Sequence, residues 1–518
     1  MQYERGRGGG GWVKWLSAAV LAACMVGCGD DEWEGTSAGE TSGVLRKQGS
    51  PIRLRAPLSG SVSASRQPMF AFSPERDARV DICYDRACDH VLESLDGRDG
   101  EAQPETPLPA GTFFWRASTR KQASATWQLV IPSRESGLTT VSATVPDYNG
   151  DGLADVAIGA PAAGTGSVSV FSGAFLAPDA TPTVTLSGGD AFGRGIAAVG
   201  DLNGDGFVEL AVASGANPGS VTIYNGGPGG PTMGITLLPG PVSADFGATM
   251  ASAGDVNGDG YGDVVVGGRE VAQVFFGGAS CAATAAAFAL AGVPGSDATV
   301  VQGYGDVNGD GAPDIFVSGV LYLGDGGGGF TAQANFMPGA SGSMAGFTGD
   351  HDGDGLMDFA AGQAVLPGTP EGIDPMKFLL VQAGEFVFET AGDLDADGYA
   401  DVVSSINHPG ATERERLYFG APTACGDTNC RAFSPLIIPG HDVNGGNLRA
   451  IIAAAGDVNG DGGDDIVVAT PENGTVYLYL GGGARELPRS FAVRTFNGVA
   501  NSFGSSLAGL FGTAPASL

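Results

Sequence analysis

The chain has 518 residues, and its 57 Asp and Glu against 26 Lys and Arg give a formal net charge of −31. This balance argues against a nucleic-acid partner, because phosphate contacts need a basic surface, and it fits an extracytoplasmic protein that holds cations. Glycine is unusually frequent, with 88 residues, yet 43% of the residues are hydrophobic. The chain is therefore long enough for several domains and apolar enough to bury a core.

The first residues have the pattern of a targeting segment. Three basic residues precede an apolar run over residues 15–26, which is too short to span a bilayer. This order predicts a signal peptide over residues 1–27. No later segment has enough consecutive apolar residues for a membrane span.

Small residues precede Cys24 and Cys28 near the end of that segment. Both positions resemble the lipobox of bacterial lipoproteins, in which the cysteine is lipidated and becomes the mature N-terminus. The alternative is a simple secretory signal with incidental cysteines. Residues 28–50 are polar and acidic and predict a flexible linker. We therefore expect an extracytoplasmic lipoprotein of the outer membrane or cell surface, or of the periplasmic face, held to the membrane only through its N-terminal lipid.

The other cysteines suit an oxidising compartment. Cys83 and Cys88 are five residues apart, as are Cys425 and Cys430, and each pair could close a small disulfide loop. A zinc site is the alternative, but neither pair has the spacing of a zinc knuckle. Cys281 is left over.

Residues 51–132 predict a small β-sandwich. Short β-rich runs alternate with turn signals at residues 68–72, 80–84, 112–117 and 126–131. Residues 57–60 and 111–116 resemble fibronectin type III modules. We expect Trp115 and Trp127 to anchor the core of this sandwich.

An acidic pattern, D-x-[DN]-x-D-G-x-x-[DE], dominates the rest of the chain. It occurs seven times, with intervals of 54, 54, 51, 44, 43 and 64 residues. The copies start at Asp147, Asp201, Asp255, Asp306, Asp350, Asp393 and Asp457. Repetition at a near-regular interval indicates a repeat architecture.

Each copy has the donors that calcium prefers, since Ca²⁺ takes six to eight hard oxygens. In the third copy, Asp255, Asn257 and Asp259 can point three side-chain oxygens inward. Tyr261 would offer its backbone carbonyl, which leaves its side chain free to vary, and Asp263 would close the shell. Position 6 is always glycine, which predicts a turn with positive φ.

The same positions give the predicted calcium ligands of all seven loops. The first four loops provide Asp147, Asn149, Asp151, Leu153, Asp155; Asp201, Asn203, Asp205, Phe207, Glu209; Asp255, Asn257, Asp259, Tyr261, Asp263; and Asp306, Asn308, Asp310, Ala312, Asp314. The last three provide Asp350, Asp352, Asp354, Leu356, Asp358; Asp393, Asp395, Asp397, Tyr399, Asp401; and Asp457, Asn459, Asp461, Gly463, Asp465. Up to seven structural Ca²⁺ ions are therefore expected.

Two alternatives to this calcium site differ in what the sequence allows. An EF-hand loop begins in the same way but needs a Glu at position 12 and flanking helices. Position 12 here is Ile158, Val212, Val266, Val317, Ala361, Ser404 and Val468. The other alternative is a set of solvated Asx-turns without metal, in which the clustered carboxylates would repel one another.

Strand-like runs flank each loop, so that one repeat holds about four strands in about 50 residues, the content of one propeller blade. Phe192–Gly193 and Phe246–Gly247 precede their loops, and Gly159-Ala160-Pro161 follows the first one. These motifs resemble the FG-GAP repeats of integrin α-chain N-terminal propellers. The resemblance covers residues 139–518 and implies an all-β chain with a seven-bladed β-propeller after the sandwich. The fourth to sixth repeats lack a clear Phe-Gly.

The C-terminus begins an eighth copy that has no acidic loop. Phe503–Gly504 opens this copy, which runs to Leu510. We expect this strand to pair into the first blade and to close the ring, because closure removes exposed strand edges.

The resemblance implies a calcium-binding, non-enzymatic adhesion or binding module for a protein or glycan, on the propeller face opposite the calcium loops. The alternative is a polysaccharide hydrolase or lyase on the same scaffold, since propellers also host enzymes. The sequence has four His and none of the common catalytic motifs. A scaffold or adhesin within an envelope complex is a third possibility that the sequence does not separate from the first. We therefore expect no catalytic residues and no organic cofactor.

Overall fold

The computed structural model describes the greater part of the chain after residue 50. The described ranges are 51–74, 76–135, 141–162, 164–215, 219–239, 245–269, 271–292, 300–333, 345–361, 364–377, 379–381, 387–405, 415–421, 433–436, 451–482, 494–498, 506–509 and 512–513. The predicted signal peptide and linker, Cys24, Cys28 and the predicted Cys425–Cys430 pair lie outside them. None of the helices within these ranges has the length and apolar content that a membrane crossing requires.

The described elements are β-strands apart from a 3-10 helix at Pro471–Asn473, which confirms the all-β prediction. Nine strands precede the acidic repeats: β1 (Arg53–Ala56), β2 (Ser61–Ser63), β3 (Phe70–Ser73), β4 (Ala78–Cys83), β5 (Val91–Gly97), β6 (Glu101–Ala102), β7 (Gly111–Ser118), β8 (Trp127–Ile131) and β9 (Val141–Ser142). They form a three-stranded sheet in the order β1-β3-β6 and a six-stranded sheet in the order β5-β4-β7-β8-β2-β9. The second sheet therefore includes a strand beyond residue 132.

Aromatic side chains fill the space between these two sheets. Trp115 and Trp127 are both buried and meet edge to face, with ring centroids 5.8 Å apart. Phe70 of β3 packs on Trp115 at 4.8 Å, which joins the small sheet to the large one. Large aromatic rings make a short-stranded unit stable because each one buries a large apolar area.

Twenty-nine further strands are described in the repeat region. They are β10 (Val156–Ala160), β11 (Ser167–Phe171), β12 (Val184–Ser187), β13 (Ile196–Ala198), β14 (Leu210–Ser214), β15 (Ser220–Asn225), β16 (Thr232–Leu237), β17 (Met250–Gly254), β18 (Asp263–Gly268), β19 (Val271–Phe275), β20 (Phe288–Ala291), β21 (Val301–Gly305), β22 (Asp314–Val317), β23 (Val320–Gly324) and β24 (Phe330–Gln333). They continue as β25 (Ala345–Gly349), β26 (Asp358–Ala361), β27 (Ala364–Leu366), β28 (Leu380–Val381), β29 (Val387–Gly392), β30 (Asp401–Ser405), β31 (Glu415–Tyr418), β32 (Phe433–Leu436), β33 (Ile451–Gly456), β34 (Asp465–Thr470), β35 (Thr475–Tyr479), β36 (Arg494–Asn497), β37 (Ser506–Gly509) and β38 (Gly512–Thr513).

These strands form antiparallel sheets in simple up-and-down order. Six sheets have four strands each: β13 to β16, β17 to β20, β21 to β24, β25 to β28, β29 to β32 and β33 to β36. The first strand and the second strand of each sheet flank one acidic loop, and neighbouring strands pair directly, as in Ile196 opposite Val212. Four-stranded antiparallel sheets of this kind are typical of FG-GAP propeller blades.

The remaining sheet joins the two ends of the repeat region. Its order is β12-β11-β10-β37-β38, so that strands from near residues 160 and 507 lie side by side. Ile158 pairs with Leu507 and Gly159 with Ser506, and the Ser506 hydroxyl donates to the Gly193 carbonyl (2.7 Å). The predicted pairing of the C-terminal strand with the first repeat is confirmed.

The innermost strands of the sheets contact one another in cyclic order. β13 contacts β17, and the contacts continue through β21, β25, β29 and β33 to β37, which returns to β13. Separate apolar clusters fill the spaces between neighbouring sheets, and one of them joins Ile158 and Leu507 of the first sheet to Val476 of the last. Small inward residues such as Ala197 and Ala253 allow the innermost strands to approach closely.

Candidate functional site: a ring of acidic loops

Each acidic loop is a chain of Asx-turns closed on its first aspartate. In the first loop, Asp147 Oδ1 accepts the Gly150 N–H (2.6 Å) and Oδ2 accepts the Gly152 N–H (2.8 Å). Asn149 Oδ1 accepts the Asp151 N–H at 2.8 Å. Short polar side chains form such local bonds readily, which explains why the segment makes a loop between two strands.

The glycine at position 6 has the conformation that the sequence predicts. Its φ is +98° in Gly206 and +85° in Gly260, and it is positive in the corresponding glycine of every loop. The left-handed region is costly for side chains with a Cβ, so glycine is favoured wherever the turn reverses this sharply.

The carboxylate at position 9 is buried in every loop and ties the loop to its own sheet. In the first loop, Asp155 Oδ2 accepts the Tyr148 N–H (3.0 Å) and Oδ1 accepts the Gly173 N–H (2.9 Å), just beyond the next strand. The same bond, to a glycine at the end of that strand or just beyond it, is made by Glu209, Asp263, Asp314, Asp358, Asp401 and Asp465. These bonds use part of each carboxylate's accepting capacity and leave lone pairs for a cation.

Three acidic clusters bring carboxylate oxygens within 4.8 Å of one another, and each is typical of the FG-GAP calcium sites. The clusters are Asp201, Asp205 and Glu209; Asp350, Asp352 and Asp358; and Asp393, Asp395 and Asp401. The first is the loop with a longer Glu at position 9, and the other two are the loops with Asp instead of Asn at position 3. The four remaining loops have Asn at position 3, which offers an amide oxygen in place of a carboxylate.

Burial raises the pKa of the carboxyls that face the loop interior. The pKa of Asp201 rises to about 7 and that of Asp393 to about 8, in each case mainly through burial and also through neighbouring carboxylates. The pKa values of Asp263 and Asp465 rise to about 8 for the same reasons. Buried, mutually repelling carboxylates need protons or a cation to compensate their charge.

The donor set fits a hard divalent cation. Three loops bring three carboxylates together, and the residues at positions 1, 3, 5 and 9 of every loop offer carboxylate or amide oxygens, without sulfur. Ca²⁺ prefers such oxygen ligands and tolerates a flexible geometry. Within the described residues, the loops are not flanked by α-helices, which agrees with the exclusion of an EF-hand.

Adjacent loops are also bonded directly to one another. In five of the seven loops, the N–H at position 8 donates to the carbonyl at position 1 of the loop before it, as in Gly262 to Asp201 (2.9 Å). The bond from Ala154 to the Asp457 carbonyl (3.0 Å) links the first loop to the last. We call the seven acidic loops the acidic belt; five of the seven neighbouring pairs of loops are joined by this bond.

The side chain at position 7 is less free than the sequence suggested. Phe207 of the second loop packs over Gly150 of the first, and Tyr261 packs over Gly204 of the second. A Cβ added to Gly150 would lie 2.5 Å from the Phe207 ring. Position 7 thus contributes packing between loops in addition to the backbone carbonyl expected from it.

Residues outside the repeats also reach the belt, which sequence reasoning missed. Arg86 donates from Nε to the Gly150 carbonyl and from Nη1 to the Gly206 carbonyl, both at 2.7 Å. Arg53 and Arg55 of β1 donate to carbonyls of the third loop at 2.7 and 2.6 Å. One signal for this contact was present in the sequence: residues 51–132 contain ten of the 26 basic residues.

The solved structures that match this protein do so with low sequence identity and low TM-scores. A rhamnogalacturonan lyase of Bacillus licheniformis is 14% identical, with a TM-score of 0.37 over 84% of this chain and 76% of that chain. A protein from Lactobacillus plantarum is 14% identical, with a TM-score of 0.41 over 68% of this chain and 99% of that chain.

Curated relatives share much more sequence over a shorter segment. Integrin alpha-PS5 of Drosophila melanogaster is 34% identical over 151 residues, which are 26% of this chain and 15% of the relative. Integrin alpha-IIb of Mus musculus is 35% identical over 159 residues, again 26% of this chain and 15% of the relative. The matched part is thus a small fraction of the length of these relatives.

The repeats themselves match two family descriptions. Residues 139–171 match the FG-GAP repeat, and residues 201–266 and 305–361 match the FG-GAP-like repeat. The matched segments contain the first five acidic loops, together with the two strands that flank the fifth. The chain therefore contains FG-GAP repeats with distant homology to integrin alpha chains.

Proposed function

We propose that residues 139–518 form a closed, seven-bladed, calcium-binding β-propeller, and that the preceding sandwich is of the fibronectin III type. The protein would act outside the cytoplasm as a non-enzymatic module that binds a protein or glycan. The cyclic contacts of the innermost strands and the pairing of Ile158 with Leu507 support the closed ring. The distant integrin homology supports a role in adhesion or binding.

The observation that carries the calcium proposal is the buried carboxylate at position 9 of every loop. Asp263 and Asp314 are completely buried, and each lies beside the carboxylate at position 1 of its own loop. A divalent cation would be held by the oxygens of positions 1, 3, 5 and 9 together with the carbonyl at position 7. Bound calcium would compensate this charge and fix the loop, which makes its role structural.

Titration calorimetry of the purified protein with CaCl₂ tests this proposal. We expect saturable binding with dissociation constants of about 10⁻⁴–10⁻³ M, the range of extracellular calcium modules. Asp201→Asn with Glu209→Gln should remove the second site and reduce the stoichiometry. Absence of binding at millimolar calcium would overturn the proposal. Mg²⁺ is the matched control, because it demands a stricter octahedral geometry.

A pull-down from surface extracts and a glycan array, each with and without calcium, test the binding role. The propeller face opposite the acidic loops is the surface that we propose for the partner. The net charge of −31 disfavours nucleic acid and acidic lipid as that partner. A ligand retained in calcium and lost after chelation would support the proposal, and turnover of a polysaccharide on the same array would contradict the non-enzymatic part.

The membrane attachment is a separate part of the proposal. Cys24 or Cys28 would carry the lipid and hold the folded region outside the cytoplasm through the linker. Metabolic labelling with a fatty-acid analogue should label the protein. Of the variants Cys24→Ala and Cys28→Ala, the one that removes the lipidated cysteine should abolish the label. A label retained in both variants, or absent from the unaltered protein, would contradict this assignment.

A further inference from the structure

Arginines of the sandwich contact the acidic belt. Residues 51–132 contain ten basic and ten acidic residues, whereas residues 133–518 contain 11 basic and 41 acidic residues. The arginines at one end of the sandwich point towards the loops. The contact therefore joins three arginines of a domain with balanced charge, Arg53, Arg55 and Arg86, to a strongly acidic region.

Arg86 is the central residue of this contact. Besides its bonds to the Gly150 and Gly206 carbonyls, its guanidinium lies over the Phe207 ring at 4.4 Å. Two groups of its own domain hold it from behind, the Thr126 carbonyl at 3.1 Å and Gln128 Oε1 at 3.3 Å. Arg86 thus bridges the first and second loops while remaining bonded to β8, a use that suits its planar five-donor head.

A disulfide presents Arg86 to the loops. Cys83 and Cys88 are joined, and Arg86 lies between them in the turn after β4. Asp85 accepts the N–H groups of Asp89 (3.1 Å) and His90 (2.9 Å), which fixes the same turn. A short covalent loop restricts the conformations available to its residues, so Arg86 is held ready for its contact.

The stacking recurs at other loops. Arg53 lies over the Tyr261 ring of the third loop at 4.0 Å, and Arg134 lies over the Tyr399 ring of the sixth at 4.4 Å. Together with Phe207, these are the three aromatic residues at position 7, and each is paired with an arginine from residues 53–134. Position 7 is also the residue whose carbonyl is a predicted calcium ligand.

We propose that the outer surface of the acidic loops is the docking site of the sandwich, and that calcium in the loops controls how tightly the sandwich docks. The arginines bind carbonyls at positions 4 to 6 and aromatic rings at position 7, so docking requires the loop conformation that calcium fixes. The two equilibria are then linked, and docking strengthens calcium binding as much as calcium strengthens docking. This inference rests on the proposed calcium binding. It also leaves the opposite face for an external partner.

Hydrogen–deuterium exchange of the whole protein, with calcium and after addition of EGTA, tests this inference. We expect chelation to raise the exchange rate of residues 53–60 and 126–131 about tenfold, within the usual range of coupling between two sites. In Arg86→Ala, the exchange rate of these residues should be raised even when calcium is present. The same variant should bind calcium more weakly in calorimetry. Arg98→Ala, an exposed arginine of the same domain, is the matched control and should leave both unchanged.

The possible failures are distinguishable. Calorimetry without calcium binding would overturn the proposed function and this inference with it. Calcium binding with the same exchange before and after EGTA would overturn this inference alone. If Arg86→Ala does not fold, Arg53→Ala serves instead, because Arg53 is exposed and is bonded only at the edge of the contact. An unchanged exchange pattern in Arg53→Ala, with Arg86→Lys also unchanged, would likewise overturn it.

Discussion

The sandwich and the repeat region solve the same problem of stability in different ways. The sandwich has balanced charge, a disulfide and one aromatic core around Trp115 and Trp127. The repeat region has a series of smaller cores between its sheets, in which aliphatic residues surround one or two aromatic pairs, and a belt of buried carboxylates on one face. The sandwich needs no bound ion to balance its charge. The repeat region contains buried carboxylates whose charge must be compensated by protons or a cation.

This difference means that stability in the two regions should respond to different conditions. Removing a cation should act most strongly on the repeat region, which holds the buried carboxylates, and losing a core side chain should act most strongly on its own cluster. The two regions meet at the arginines of the sandwich, so a change at that contact should affect both. The predictions below separate these effects, beginning with the largest.

Chelation of calcium gives the largest expected difference between the regions. Each occupied loop contributes about 1–3 kcal/mol at calcium concentrations 10 to 100 times the dissociation constant. Of the five tryptophans, Trp115 and Trp127 lie in the sandwich, three precede residue 51 and residues 133–518 contain none. Tryptophan emission therefore does not report directly on the repeat region, whereas far-UV circular dichroism follows the whole chain. EGTA should lower the melting temperature seen by circular dichroism more than that seen by emission. Equal shifts in both signals would contradict the comparison.

A cavity where the first and last sheets meet should cause the next largest loss of stability. Leu507 is completely buried where the first and last sheets meet. Leu507→Ala should cost about 2–5 kcal/mol because it leaves a cavity at the closure of the repeat region. Leu238→Ala is the matched control, since Leu238 is 62% exposed and its loss should change the free energy of unfolding by less than about 0.5 kcal/mol. Denaturant unfolding measures both, and equal costs would contradict the proposed closure.

The stability of the folded protein should depend on pH differently with and without calcium. The raised pKa values of Asp263, Asp314 and Asp465, each about 8, exceed the unfolded value of about 3.9. Folding therefore favours the protonated form, and metal-free stability should fall as the pH rises from about 4 through 8. Calcium binds the deprotonated form, so the gain in melting temperature from calcium should widen between pH 5 and 8. If the rise in melting temperature caused by calcium stays constant or becomes smaller over this pH range, the assignment of these carboxyls as calcium ligands would be contradicted.

A pair of glycines gives the smallest and most local test. Gly260 and Gly311 occupy position 6 of the third and fourth loops and have the same φ of +85°. A Cβ on Gly260 would lie 3.2 Å from Arg55 Cα, whereas one on Gly311 would have nothing within 4 Å. Both alanine variants store similar backbone strain, and Gly260→Ala should cost about 1 kcal/mol more through the crowded sandwich contact. Equal unfolding free energies would show that the contact does not contribute.

The sequence predicted most of the local features. The acidic pattern predicted the loops, the strands around them and the positive φ at position 6, because each depends on residues close together in the chain. The Phe-Gly at Phe503 predicted the pairing of the C-terminal strand. The usual burial of large aromatic side chains in β-rich runs also predicted the buried Trp115 and Trp127. In each case a short-range preference and a repeated spacing pointed to the same structure.

The contacts between adjacent loops and between the two domains could not be predicted from the spacing of residues in the sequence. The bonds between adjacent loops depend on how far each sheet turns relative to the next, and the sequence does not state that angle. Position 7 therefore looked free to vary, although Phe207 packs over Gly150. The contact of the sandwich with the acidic loops, with Arg86 at its centre, was not predicted, because it depends on how the two domains pack.

The amino-acid sequence by itself determined the all-β character, the period of the repeats and the donor atoms of each acidic loop, since these follow from local preferences and chemistry. The tertiary structure decided which loops bring three carboxylates together, because a longer Glu at position 9 or an Asp at position 3 acts only once the loop is folded. It also decided that the sandwich covers the acidic belt, because contacts between residues as distant as Arg86 and Gly206 depend on the packing of whole domains.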